Sequence, residues 1–157
     1  KRGNRHNCTS SEKNIMNKTF RGLLADGAQN TIRLSTNDGL TGYKIKDFRI
    51  IHAEPGQQDG EHTVKVYTTK RSTVDNAINF DDPTLLAVAY LTDDKNILGT
   101  VSNIIVFDSM VFNQDIFVTH EDTTGSQPCN YYLELETMKL DINEATVATL
   151  KDMRGRE

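Results

Sequence analysis

From Phe20 onward the chain is a series of short apolar runs separated by turn residues. The runs are rich in β-branched and aromatic side chains and predict strands over 19–24, 31–35, 42–52, 62–69, 85–91 and 130–140. Between the last two lies "NIIVFDSMVFNQDIFVTHED" (103–122), the most apolar long stretch of the chain. It breaks only at 107–109 and 113–115, and neither break is a two-residue glycine turn. The stretch therefore predicts one strand over 101–107 and a longer one over 110–121, kinked near 113–115. The second is expected to pair antiparallel with 130–140 through the 123–128 loop, with Ile116 and Val118 in the core and Phe117 on the opposite face.

Turn chemistry fills the gaps. Asn37-Asp38-Gly39 predicts a tight hairpin, 55–60 (Pro-Gly-Gln-Gln-Asp-Gly) a longer one, and 92–96 a third turn before the strand that ends at Phe107. In 131–136 (YYLELE) the odd positions are apolar and two of the three even ones acidic, as in a strand with one face in the core. Met138 and Leu140 continue the apolar positions on even numbers, which predicts a bulge near 136–137. A similar phase shift separates Tyr43 and Ile45 from Phe48 and Ile50. The run 85–91 (LLAVAYL) is apolar on both faces, as in a strand covered on both sides or lying at a subunit contact.

Only the C-terminus reads as helix. Asp141-Ile142-Asn143-Glu144 has capping-box spacing, and Ala145, Val147, Ala148, Leu150 and Met153 follow at helical intervals up to Gly155. Residues 1–17 are polar and read as an extended arm before a single domain over 18–157. About eight strands predict an all-β antiparallel sandwich of jelly-roll type, with an N-terminal arm and a short C-terminal helix.

Composition narrows the partners. Hydrophobic residues make up 36% of the 157, in keeping with a thin sandwich core. Net charge is −4, from 22 acidic and 18 basic residues, which argues against bulk nucleic-acid binding, although Lys1, Arg2 and Arg5 make the arm basic. No apolar run has the length of a membrane helix, and no apolar segment at the N-terminus marks a secretory signal. A chain starting at Lys1 is compatible with an omitted initiator or a removed leader. Cys8 and Cys129 lie far apart and read as free thiols, with Cys129 in a loop.

Candidate chemistry is sparse. His52 and His62 flank the 55–60 turn and, with Glu54 and Glu61, permit a metal site across a hairpin; the plainer reading is two exposed strand-end residues. His120-Glu121-Asp122 reads as a charged strand end entering a loop, because adjacent strand residues face opposite ways. Asp81-Asp82 and Asp93-Asp94 lack the spacing of a calcium loop. There is no Gly-x-Ser-x-Gly, no phosphate-binding glycine loop and no Cys-x-x-Cys. No catalytic residue, metal ligand or cofactor is therefore assigned. Contact residues for a protein partner are expected at Lys1, Arg2, Arg5, Tyr90, Phe112, Phe117 and Tyr132.

The segment "TGYKIKDFRII" (41–51) and the stretch 111–154, with its Asn-Gln-Asp, Asn-Tyr-Tyr and Glu-Ala-Thr-Val-Ala-Thr-Leu-Lys markers, resemble small virion structural proteins of marine tailed bacteriophages. The resemblance implies a non-enzymatic capsid-decoration or minor-capsid component, present in many copies, binding other virion proteins and assembled in the host cytoplasm. It carries over no catalytic residue. The competing expectation is a receptor- or carbohydrate-binding sandwich of a fibre or tail, using loops around 57–60 and 123–127. A metal-dependent hydrolase at His52 and His62 is a further alternative.

Overall fold

Eight strands and one helix follow the apolar runs: β1 (Met16–Leu24), β2 (Gln29–Ile32), β3 (Thr41–His52), β4 (Gly60–Tyr67), β5 (Leu85–Asp93), β6 (Val101–Val106), β7 (Ile116–Asp122), β8 (Cys129–Lys139) and α1 (Ile142–Arg154). The structure, a computed structural model, describes residues 16–96, 100–107 and 110–154. The arm expected over 1–17, with Lys1, Arg2, Arg5 and Cys8, lies outside these except for Met16 and Asn17, which begin β1.

The strands form two antiparallel sheets, β1-β8-β3 and β2-β7-β4-β5-β6. A jelly roll is a long hairpin wrapped on itself, so that strand 1 pairs with 8, 2 with 7, 3 with 6 and 4 with 5. Three of those four pairings are present. The departure is β6, which pairs with β5 instead of β3 and becomes the edge of the larger sheet. Part of the β3 edge is taken by Phe112, whose backbone exchanges hydrogen bonds with Tyr43 at 3.0 and 2.7 Å.

Side-chain alternation explains the layering. In β8, Cys129, Tyr131, Leu133 and Leu135 point inward; β3 answers with Ile45 and, after a bulge between Ile45 and Asp47, with Phe48 and Ile50. The bulge restores the inward phase that the sequence shows shifting there. From the larger sheet Val64, Val66, Ala87, Ala89, Ile116 and Val118 complete the core. Part of the outer face of that sheet, at β4, is covered by the chain itself. Lys65, only 2% exposed, extends to Asp75 Oδ1 (2.9 Å) and the Ala77 carbonyl (2.6 Å), and Arg71 stacks on Tyr67. Leu85–Leu91 is buried at every position except the half-buried Tyr90, as expected of a strand covered on both sides.

Several local expectations are corrected. The 37–39 and 55–60 turns carry the chain from one sheet to the other and are not hairpins. At the first, only Gly39 has positive φ (66°), and Asp38 Oδ1 accepts the Leu40 N–H. β7 pairs with β2 and β4 rather than with β8, so 123–128 is also a crossover. Segment 110–115 is irregular apart from the Phe112 bridge. No bulge occurs at 136–137, where β8 keeps register with both neighbours. Met138 instead packs on the outward face in a second small cluster with Leu40, Val111, Leu140, Ala145 and Ala148, beneath α1.

The helix begins as its sequence predicts. Asp141 Oδ1 accepts the Glu144 N–H at 2.7 Å, a capping interaction that satisfies one of the unpaired donors of the first turn. Its buried face is narrower than the apolar pattern, however: Ala145 and Ala148 are buried, while Val147, Leu150 and Met153 are about half exposed. Asn113, fully buried, ties α1 to the sandwich by donating from Nδ2 to the Gly39 carbonyl and Thr149 Oγ1.

Candidate functional site

Two features stand out, one on the surface and one inside. The outer face of β1-β8-β3 is built from cross-strand rows. Leu23, Asn130 and Ile51 form one row; Arg21, Tyr132 and Arg49 form the next; Thr19, Glu134 and Asp47 form a third. Leu23 is 57% exposed, Ile51 61% and Tyr132 36%. Two exposed aliphatic side chains, on either side of Asn130, thus lie beside a tyrosine flanked by two guanidinium groups, around a shallow depression of about 700 Å³. Side chains directly opposite on paired strands stand within contact reach, which makes these rows a continuous surface.

Of the contact residues expected from the sequence, Tyr132 lies on this face. Phe112 does not: it is 1% exposed, stacks with Tyr43 at 6.2 Å between ring centroids, and belongs to the core. Its burial follows from the Tyr43 bridge, which turns segment 110–115 inward. Tyr90 is half-buried on the larger sheet, donating to Glu61 Oε1 (2.7 Å) and accepting from Thr92 Oγ1. Phe117 is half-buried on the face opposite Ile116 and Val118, both fully buried, as the alternation requires. Leu23, Arg21, Arg49 and Ile51 were not singled out; the outward phase of β1 and of β3 after its bulge is the signal that finds them.

The second feature lies between the sheets, beneath the 25–28, 53–59 and 123–128 loops. His52 ends β3 and is the cross-strand partner of Cys129, which begins β8. His62 (β4) and His120 (β7) come from the other sheet, on neighbouring strands. All four are buried, none more than 1% exposed. The expectation of exposed strand-end histidines and of a loop cysteine is therefore wrong. These strand ends are capped by loops, and each of the four sits in the inward phase of its strand.

The hydrogen bonds fix the imidazole tautomers. The Ala25 carbonyl only accepts, so His120 Nδ1, 3.0 Å away, donates to it. In the arrangement with one proton on each ring, His120 accepts at Nε2 and His62 Nδ1 donates to it at 2.8 Å. His52 Nδ1 accepts the Glu54 N–H at 3.0 Å, which places its ring proton on Nε2. His52 stands edge-on to His62 with centroids 4.7 Å apart, and the Nε2 atoms of both rings are buried without hydrogen-bond partners. Gly60 makes room for them: a Cβ there would collide with His62 Nε2 and come within 2.9 Å of His52 Nε2.

Burial disfavours charge at two members of the cluster, His62 and Cys129. Burial, and next the adjacent His120, lower the His62 pKa to about 4, and burial raises the Cys129 thiol to about 12. Asp122 bounds the cluster. Burial opposes its charge, yet it is held below the ordinary carboxylate range by the N–H groups of Glu61, Gln127 and Thr124 and the Thr124 hydroxyl. Neither glutamate expected to join a metal site does so, since Glu54 is exposed and Glu61 holds Tyr90. The paired aspartates act as local caps: Asp82 binds Arg71 and Thr84, and Asp93 accepts the Gly56 N–H. No helix among the described residues is long and apolar enough to cross a membrane.

No protein-family model matches this sequence, and no curated protein matches it. Among solved structures, a chain from Bacillus endospore appendages, described as a novel family of disulfide-linked pili, is similar over 88% of this chain and 100% of its own, with 8% identity and a TM-score of 0.35. A likeness at that level decides neither fold nor function.

Proposed function

We propose that this protein is a non-enzymatic virion structural component of the capsid-decoration or minor-capsid kind, which docks on other virion proteins through the outer face of β1-β8-β3. The observation that carries the docking reading is the exposed Leu23–Asn130–Ile51 row beside the Arg21–Tyr132–Arg49 row. Tyrosine and arginine beside exposed aliphatic side chains are the residue types that concentrate binding energy at protein interfaces. The virion assignment rests on the resemblance of 41–51 and 111–154 to phage structural proteins. Edge strand β6, with Val101, Ile104 and Ile105 exposed, offers a further contact along the larger sheet.

The test is incorporation into particles. Copies of the wild-type chain are counted in gradient-purified particles and compared with an Ile51→Asp/Tyr132→Ala variant. Many copies per particle, lost in the variant, are expected. A wild-type chain absent from particles, or a protein that binds glycans but no particle, would overturn the assignment in favour of the receptor-binding reading. Unchanged incorporation of the variant would overturn the docking face.

A further inference from the structure

We infer that His62, His120 and Cys129 form a metal site for a thiophilic late first-row ion, with Zn2+ as the ion that fits the donor set. One ring nitrogen of each histidine and the cysteine sulfur lie within 4.8 Å of one another, all three side chains are fully buried, and they come from three strands in two sheets. Two imidazoles and a thiolate are the soft and borderline donors that select Zn2+ over the hard, oxygen-seeking cations.

The surroundings have the features such a site needs. His120 is oriented by its Nδ1 bond to the Ala25 carbonyl, the outer-shell arrangement that fixes a ligating ring and leaves Nε2 for the ion. That Nε2 now shares a hydrogen bond with His62 Nδ1 at 2.8 Å, and the ion takes the place of the bridging proton. With Zn–N near 2.0–2.1 Å, two nitrogens at a tetrahedral centre stand about 3.3 Å apart, so the rings separate by roughly half an ångström. His52 is not a ligand, because its Nδ1 is engaged by Glu54 and its Nε2 carries the ring proton; it walls the site.

Proton balance follows from the tautomers. On binding, the Cys129 thiol loses its proton to solvent, and the His62 ring proton moves from Nδ1 to Nε2. One proton is therefore released per ion, and uptake strengthens as pH rises. The ion links β4 and β7 of one sheet to β8 of the other at the end of the sandwich closed by three crossover loops.

The 157-residue chain carrying Cys8→Ser, so that Cys129 is its sole thiol, is reduced, stripped with a chelator and titrated with Zn2+ and with Co2+. Expected are one ion per chain, release of one proton, a higher thermal midpoint, and a Co2+ spectrum with a thiolate-to-metal charge-transfer band. All are expected to be lost in Cys129→Ser and in His120→Gln. The Co2+ spectrum of the parent reports the thiolate directly, so the test stands even if a variant misfolds. Failure of the parent to take up either ion, a Co2+ spectrum without the thiolate band, or unchanged uptake by Cys129→Ser would overturn the site.

Discussion

Single residues at the closed end of the sandwich carry effects out of proportion to their size. Gly60 is required by a close approach rather than by an unusual φ. In Gly60→Ala the new methyl meets His62 Nε2 and His52, rings with no free space to swing into, since both are buried. Overpacking of this kind costs about 1–3 kcal/mol, to be read as a lower denaturant midpoint with an unchanged slope. His62 sets a pH dependence in the metal-free protein. Its folded pKa is about 4 against 6.5 for the free side chain, so the unfolded chain binds the proton first. Stability is therefore full above about pH 6.5 and falls as pH drops toward 4, by up to roughly 3 kcal/mol at 1.36 kcal/mol per pH unit. Denaturation curves between pH 7 and 4 check this, and His62→Gln flattens that part of the profile.

At the scale of elements, the clearest local rules held where neighbours could not override them. Asp141 at the start of α1 was legible because capping depends on four consecutive residues; Asp141→Ala removes the acceptor for the Glu144 N–H and costs about 1 kcal/mol of thermal or chemical stability. The β3 bulge was legible from the shift between Ile45 and Phe48, because a phase change within one core-facing strand has one economical solution. The same kind of shift in β8 misled. Met138 and Leu140 change face because α1 supplies a second apolar cluster on the outside, and no sequence rule says which layer an apolar side chain will join. Turns misled for a related reason. Asn37–Gly39 specifies that the chain reverses, but not that the strands on either side belong to different sheets.

For the whole molecule, the contact face and the core make opposite demands on substitution. Leu23 and Ile51 are more than half exposed and Tyr132, in the central strand β8, about one third, so Ile51→Asp and Tyr132→Ala are expected to lower folding stability by no more than about 1 kcal/mol each, measured by chemical denaturation. Phe112 shows the contrast, since an aromatic expected at a partner instead fills the gap beside Tyr43. Because β6 joins β5 and leaves β3, the larger sheet ends in an exposed, partly apolar strand while Phe112 closes part of the smaller one.

The sequence by itself determined the strand and helix inventory, the inward phase of most strands, the sandwich class and the capped start of α1. These depend on period-two and period-3.6 patterning and on side chains acting within a few residues of their own backbone. Only the tertiary structure decided which strands pair, that Asp75 and Ala77 hold the buried Lys65 of the larger sheet, and that His62, His120 and Cys129 meet. Those three residues lie up to 67 positions apart in the chain. What joins them is the wrapping of β4, β7 and β8 around one core, where pairing free energy is set by contacts between distant segments and leaves no mark at the residues themselves.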